Sequence, residues 1–340
     1  DTVLRFFNEA AIDPSVEAIS TTLYRVAGDS RIAQALISAS RNGKKVTVLV
    51  ELKARFDEAN NIRWAKTMKA NGIRIIYSSN SLKVHAKIAL VKRKHATMPL
   101  LGLLATGNLN ESTARFYTDH ILLTAYQPML SEMDNLFSFL AKRKRSGMQE
   151  VLLLEHLLIA QFNLLQRFLQ LIQQEIDHAQ KGLPARITIK MNNLEEEVLI
   201  SKLYEASNAG VEVQLIVRGI CRLVPGIEGQ SENIKVRRIV DRYLEHGRIF
   251  IFYNNGDEKI LLGSADWMNR NIYRRIEVCF PVYDPQLKKQ LAAIINLQLQ
   301  DNTQAVWIDA ALSNAAVSTE APPVRSQEAI YHYLQSIEQA

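Results

Sequence analysis

Two stretches of the chain repeat one pattern of apolar and polar positions. In the first, apolar residues at helical spacing run from about Ser30 to Arg41 and stop at Asn42-Gly43. Val46-Thr47-Val48-Leu49-Val50 then reads as a strand, with Arg55 just beyond it. In the second, the helical spacing runs from about Glu195 to Asn208 and stops at Ala209-Gly210. It leads into the strand Val213-Gln214-Leu215-Ile216-Val217, with Arg218 and Arg222 at its end. Glycine just past a helix supplies the left-handed backbone that caps it, and strands this rich in Val, Ile and Leu belong inside an α/β sheet. The two glycines lie 167 positions apart.

Each stretch next reaches a histidine in an apolar setting that reads as strand, Lys83-Val84-His85-Ala86-Lys87 in the first and Leu244-Glu245-His246-Gly247-Arg248 in the second. The histidines are 161 apart, close to the glycine offset. Downstream of each comes a small polar turn, Ala105-Thr106-Gly107-Asn108-Leu109-Asn110 and Leu262-Gly263-Ser264-Ala265-Asp266-Trp267. Four features therefore recur in the same order, which predicts an α/β fold of two tandem domains related by duplication. Residues 1–147 form the first domain and carry His85; residues 148–340 form the second and carry His246. The basic tract Lys142-Arg143-Lys144-Arg145-Ser146-Gly147 between them reads as a solvated linker, with a polyanion contact as the sharper alternative.

Side chains alternate along a strand, so a basic residue two positions after a histidine shares its sheet face. His85 with Lys87, and His246 with Arg248, are thereby expected to address one phosphoryl group. Either histidine alone is an ordinary half-buried strand residue; two such pairs in matching places of a duplicated unit make coincidence a poor explanation. The turns add backbone N–H groups and short polar side chains, Asn108, Asn110, Ser264 and Asp266, suited to phosphate oxygens. Trp64 and Trp267 are expected in the core.

Composition narrows the classes. At 340 residues, 47% hydrophobic and 22% charged, the chain is globular and too long for one ordinary core. The longest apolar tract, Val151 to Ile172, is broken by Glu155, His156, Gln161, Asn163, Gln166 and Arg167, which excludes a membrane span. Cys221 and Cys279 are too few for a disulfide framework and lack metal-type spacing, which fits a reducing cytosol and makes zinc an unsuitable guest. The net charge of +6 favours an anionic partner without deciding one. A start at Asp1, without an initiator Met or a leader-like segment, reads as a piece of a longer protein.

Paired His-x-Lys units from two halves resemble the phospholipase D superfamily, in which the two meet in one site and one histidine becomes phosphorylated. That superfamily places an Asp seven residues after the histidine; Lys92 and Tyr253 stand there, and Arg248 replaces the second Lys. These departures point within it to the polyphosphate kinases. So do the strings VLVELKARFDEAN from Val48, LKVHAK from Leu82, TGNLNESTARFYTD from Thr106, VRGIC from Val217, SENI from Ser231, IVDRYLEH from Ile239 and SADWMNRN from Ser264, all of which look like that family's. The resemblance runs from about Leu23 to Asp284, in the family's order, and lacks the family's N-terminal half.

The resemblance implies two phospholipase-D-like α/β sandwich domains and reversible transfer of the ATP γ-phosphoryl group to the end of inorganic polyphosphate through phospho-His85. It implies His246 as general acid/base and Tyr117, Arg218 and His246 as ATP contacts. It ties Arg25 and Arg55 to the magnesium and phosphate region, with Lys87, Asn108, Asn110, Arg248, Ser264 and Asp266 as supporting phosphate contacts. A guanidinium has no acceptor lone pair, so Arg25 and Arg55 read as phosphate clamps beside a Mg²⁺ held mainly by phosphates and water. Tyr117 also has a core-packing reading. The implied partners are ATP, ADP and polyphosphate, with no nucleic acid and no transmembrane segment. The full-length protein is expected to be a homo-oligomer in the cytoplasm, with the inner face of the membrane as a peripheral location. Two alternatives remain: a phospholipase-D-like phosphodiesterase acting on nucleic acid or lipid, and an inactive polyanion-binding fragment.

Overall fold

The computed structural model describes residues 1–51, 58–78, 83–142 and 152–338. These divide into two compact units, Asp1–Asn163 with Tyr273–Phe280, and Leu164–Ile272 with Pro281–Ala340. The linker tract from Arg143 onward lies outside the described residues, so its two readings are not distinguished. The division differs from a cut at 147, because 152–163 and the later segment 273–280 both go with the first unit.

In the first unit, α1 (Thr2–Ile12) precedes β1 (Val16–Leu23), α2 (Arg31–Arg41), β2 (Lys45–Val50), α3 (Glu58–Ala70) and β3 (Arg74–Tyr77). Then come β4 (Lys83–Val84), β5 (Lys87–Arg93), β6 (Leu100–Ala105), β7 (Tyr117–Thr118), β8 (Ile121–Thr124), α4 (Gln127–Ala141) and β9 (Leu158–Ile159). The sheet order is β3-β2-β1-β5-β6-β8. The β1, β2 and β3 strands run parallel, while β5, β6 and β8 add in antiparallel fashion. The residues from Lys87 to Val91 in β5 are all buried, as expected of a central strand covered on both faces. Phe7, Leu36, Trp64 and Met68 from α1, α2 and α3 close one core against Ile19, Val48 and Val91.

The α2 helix forms where the apolar spacing placed it. Ser30 accepts the Ala33 N–H at 3.2 Å as N-cap, six apolar side chains from Ile32 to Ala39 are buried, and Gly43 takes φ +80° after the last turn. Its counterpart in the second unit starts at Glu197, two residues later than the sequence pattern suggested. There Glu196 serves as cap, accepting the Leu199 N–H at 2.7 Å, and Gly210 closes the helix at φ +91°.

The second unit runs α5 (Leu164–Gln180), β10 (Arg186–Met191), α6 (Glu197–Asn208), β11 (Glu212–Val217), β12 (Ile234–Ile239), β13 (Leu244–Glu245), β14 (Arg248–Phe252) and β15 (Lys259–Gly263). Again three strands are parallel, β10, β11 and β12; β14 pairs antiparallel with β10, and β15 antiparallel with β14. The order β12-β11-β10-β14-β15 repeats β3-β2-β1-β5-β6 of the first sheet with the same parallel and antiparallel senses, as a duplication requires. Phe168, Phe250 and Trp267 pack ring to ring at centroid distances of 4.7 to 5.9 Å in its core.

After α7 (Asn269–Arg274), β16 (Arg275–Ile276) pairs with β4 and β17 (Val278–Pro281) pairs with β9. The chain then completes the second unit with α8 (Pro285–Gln300), β18 (Ala305–Ile308), β19 (Asn314–Ala316) and α9 (Ser326–Glu338). No helix among the described residues is long and apolar enough to cross a membrane.

Candidate active site

Neither histidine sits on a strand. His85 and Ala86 occupy a break between β4 and β5, and His246 and Gly247 occupy the matching break between β13 and β14. The strand-alternation argument for pairing each with its following cation therefore fails, although the pairs still meet by another route. Lys87 Nζ donates to the His85 carbonyl oxygen at 2.5 Å, and Arg248 Nη1 donates to that of His246 at 2.7 Å. Each buried cation grips the histidine's own main chain.

In the first unit the break is fixed by the returning segment. The N–H groups of His85 and Ala86 both donate to the Ile276 carbonyl oxygen, at 2.9 and 3.0 Å, and the Ala86 carbonyl oxygen accepts from the Thr22 hydroxyl at 2.6 Å. This registers His85 Nδ1 2.9 Å from the carboxylate of Glu277, which is fully buried; the His85 side chain itself is 12% exposed. A proton on Nδ1 donated to Glu277 leaves the lone pair on Nε2, as in other carboxylate-oriented imidazoles. Burial pushes the His85 pKa down to about 3; Glu277 opposes that shift, while Lys87 and Arg275 reinforce it. The ring is neutral at physiological pH.

The Tyr24 ring stands almost perpendicular to that of His85, centroids 4.6 Å apart, and the Lys87 ammonium lies 5.4 Å from the Tyr24 ring centre. The bend just after β1 that carries Tyr24 and Arg25 is laced to α3 and to the polar turn. Asn61 Nδ2 donates to the Tyr24 and Glu51 carbonyl oxygens, both at 2.8 Å, and Asn110 Nδ2 donates to that of Arg25 at 3.2 Å. Asn110 also accepts the N–H groups of Ser112 and Thr113, so it shapes the turn. Asn108 Oδ1 is buried and has no hydrogen-bond partner among the described residues. Thr106 donates to Asp119 at 2.8 Å, and the Asp119 carboxylate fills the space a side chain at Gly107 would need, a Cβ there falling 1.8 Å from Asp119 Oδ2. Tyr117 is half-buried just before that carboxylate. Arg55 lies outside the described residues.

In the second unit, Asn192 at the end of β10 joins most of the expected residues. Arg218 donates to Asn192 Oδ1 from Nε and Nη2, at 3.0 and 2.8 Å. Asn192 Nδ2 donates to the His246 carbonyl oxygen at 3.1 Å, and the Asn192 N–H donates to Asp266 at 2.9 Å. Asp266 and Arg248 form a buried ion pair at 3.1 Å, and Arg248 Nη1 lies 3.2 Å from His246 Nε2. Burial works against ionising Asp266, but Arg248 and the Asn192 hydrogen bonds hold its carboxyl well below the usual carboxylate range. Asp266 is thus occupied in orienting Arg248, and Ser264 is fully buried beside it in sequence. Three successive carbonyl oxygens around the histidine each meet a side-chain donor: Glu245 meets Arg218 at 2.8 Å, His246 meets Asn192 and Arg248, and Gly247 meets Lys190 at 3.1 Å.

The profile described as "Polyphosphate kinase C-terminal domain 1" matches residues 1–146, and "Polyphosphate kinase C-terminal domain 2" matches residues 157–327. The chain belongs to the polyphosphate kinase family. It is 46% identical over 339 residues to the polyphosphate kinase of Escherichia coli K12, covering 99% of this chain and 48% of that protein. It is 47% identical to the polyphosphate kinase of Klebsiella pneumoniae, covering 99% and 49%. The crystal structure of polyphosphate kinase from Porphyromonas gingivalis superposes with a TM-score of 0.91 at 45% identity, over 100% of this chain and 51% of that one. The chain spans about half the length of the curated relatives it matches. Phosphatidylserine synthase from Haemophilus influenzae is similar at a TM-score of 0.58 and 15% identity, covering 99% of this chain and 91% of that one, a likeness of fold. The α/β architecture of two units expected from the repeated pattern is therefore present.

Sequence reasoning missed Glu277, Asn192, Lys190 and Tyr24. Glu277 is 192 positions from the histidine it orients, and nothing local marks it. Asn192 carried a weak signal, a polar residue directly after a buried strand, where α/β sheets place their functional groups.

Proposed function

We propose that this chain carries the phosphoryl-transfer chemistry of a polyphosphate kinase, with His85 as nucleophile. The observation that supports it above others is the buried Glu277 carboxylate on His85 Nδ1, which leaves Nε2 as a neutral nucleophile. The Nε2 lone pair attacks the γ-phosphorus of MgATP, and the bond from that phosphorus to the bridging oxygen breaks with its electrons leaving on ADP. A terminal oxygen of polyphosphate then attacks phospho-His85, the P–N bond breaks, and Nε2 regains its lone pair. Run backwards, the same steps make ATP. His246 is proposed to give a proton to the departing ADP oxygen or take one from the acceptor, a contribution of roughly 10²- to 10⁴-fold.

Arg25, Arg55, Lys87 and Arg218 are proposed as cationic contacts for phosphate oxygens, and Tyr117 as a contact for the nucleotide. Magnesium belongs to the substrate as MgATP. Among the described residues no group of three or more His, Cys, Asp or Glu is arranged to hold a metal ion, and Arg25 lacks the lone pair a metal requires. A homo-oligomeric, cytoplasmic full-length enzyme is part of the same reading.

The test is single-turnover labelling with γ-labelled MgATP in the full-length protein. Acid-labile label is expected in the wild type, none in His85→Ala, and slower formation or transfer in His246→Ala. Label persisting in His85→Ala removes His85 from the role. Hydrolysis of a phosphodiester in place of ATP/polyphosphate exchange would establish the phosphodiesterase alternative, although Lys92, which stands where that chemistry has an Asp, is ion-paired to Asp134 at 2.7 Å. Binding of polyphosphate without any label would mark a polyanion-binding protein.

A further inference from the structure

We propose that Gln327, on the first turn of the C-terminal helix α9, is a positioning residue for His246, acting through Tyr243 and Glu245. The inference rests on the acid/base role proposed for His246. The Gln327 amide is matched at both ends: Nε2 donates to the Tyr243 carbonyl oxygen at 2.9 Å and to Glu245 Oε1 at 2.7 Å, and Oε1 accepts the Tyr243 N–H at 3.0 Å. Two residues earlier on each side, Arg325 grips Asp241 through Nε and Nη2 at 2.5 to 3.2 Å. The segment Asp241, Tyr243, Glu245 leading into His246 is thus held at alternate positions by Arg325 and Gln327.

Glu245 passes the constraint on. Its other carboxylate oxygen accepts from Gln298 of α8 at 2.8 Å and lies 3.1 Å from the Lys190 ammonium, with Lys190 and Glu245 both almost wholly buried. Lys190 also donates to the Gly247 carbonyl oxygen, so one ammonium ties the residues on either side of His246. Displacing the Glu245 carboxylate would disturb both ends of the two-residue break in which the imidazole sits.

The α9 helix packs through the partly buried Ile330, Tyr333 and Leu334. Ser326 is its one buried residue, and Tyr331 and Ile337 on it are 58% and 42% exposed. Its first turn has a polar anchor as well: the N–H and hydroxyl of Ser326 donate to Asp301 at 2.8 and 2.6 Å. The hydrogen bonds of Gln327 with Tyr243 and Glu245 are separate from that packing and fix the geometry of the segment before the histidine.

The experiment is a double-mutant cycle in the full-length enzyme, with Gln327→Met, which keeps length and volume, combined with His246→Ala. Gln327→Met alone is expected to lower kcat roughly ten- to hundredfold, the scale of a misplaced acid/base group, with KM for MgATP changed by less than threefold. In the His246→Ala background the same change is expected to cost nothing further, because the group it positions is gone. Gln327→Glu, which sets a second carboxylate against Glu245, serves equally if the first variant does not fold. Undiminished kcat in the single variant, or losses that multiply in the double variant, would overturn the proposal. Undiminished kcat in His246→Ala alone would instead sink the acid/base role, and this inference with it.

Discussion

Glu277 and His85, 192 positions apart in sequence, meet at 2.9 Å with the carboxylate fully buried and the imidazole nearly so. The pair decides which nitrogen of His85 carries the proton, and so which one is free to attack phosphorus in the role proposed for His85. Glu277→Gln keeps the shape and can turn its amide N–H toward Nδ1, forcing the proton onto Nε2. Phosphoenzyme formation is expected to slow by roughly 10²- to 10⁴-fold, as when the orienting carboxylate of a catalytic triad is replaced by its amide. Rapid-quench labelling of the full-length variant measures this; a wild-type rate would mean that Glu277 does not set the tautomer.

The depressed pKa of His85 gives two pH predictions. The ring is expected to stay neutral down to well below 6.5, so single-turnover labelling should show no acid limb near that value arising from His85. Stability, unlike the labelling rate, is expected to depend on pH through His85. The unfolded chain binds a proton near pH 6.5 and the folded one only near 3, so the contribution is complete above about pH 6.5 and is lost as pH falls toward 3. The unfolding free energy of the wild type minus that of His85→Asn should therefore decline as pH is lowered from 7.5 to 5. A difference that stays flat, measured by denaturant titration, contradicts the assignment.

Arg248 and Asp266 are 4% and 6% exposed at the side chain. Asp266→Asn leaves the guanidinium buried without its counter-charge and is expected to destabilise by about 3–5 kcal/mol. Joint replacement by apolar residues of similar volume, Arg248→Met with Asp266→Leu, should recover most of that stability while phosphoryl transfer stays low. Equal stability of Asp266→Asn and wild type in chemical denaturation would show the pair to be solvated in solution.

Arg218 holds Asn192 with two prongs and the Glu245 carbonyl oxygen with one of them. Lysine offers a point charge where the site uses a planar fork, so Arg218→Lys is expected to raise KM for MgATP about tenfold, the loss of one charge-assisted hydrogen bond. Steady-state kinetics in both directions check this; an unchanged KM would remove Arg218 from the nucleotide site.

Much of this protein is written in local pattern. The apolar spacing of α2 and α6, the glycines that end them and the buried strands behind them follow from neighbours within a few residues, and so survive inspection of the chain alone. The matching place of His85 and His246 within that duplicated pattern was enough to single them out, and the strings around them to name the family. Local pattern also misled: a strand was read through His85 and His246, yet both lie in two-residue breaks, because the Ile276 carbonyl oxygen in one case and donors such as Lys190 in the other draw the main chain out of the ladder. What tertiary structure alone decided is the set of partners. Glu277 reaches His85 because the chain returns to the first unit at Tyr273–Phe280, and Gln327 reaches the segment before His246 because α9 folds back over it. Spacing along a sequence records helix turns and strand alternation, whereas a buried carboxylate finds its imidazole only through the path of the whole chain.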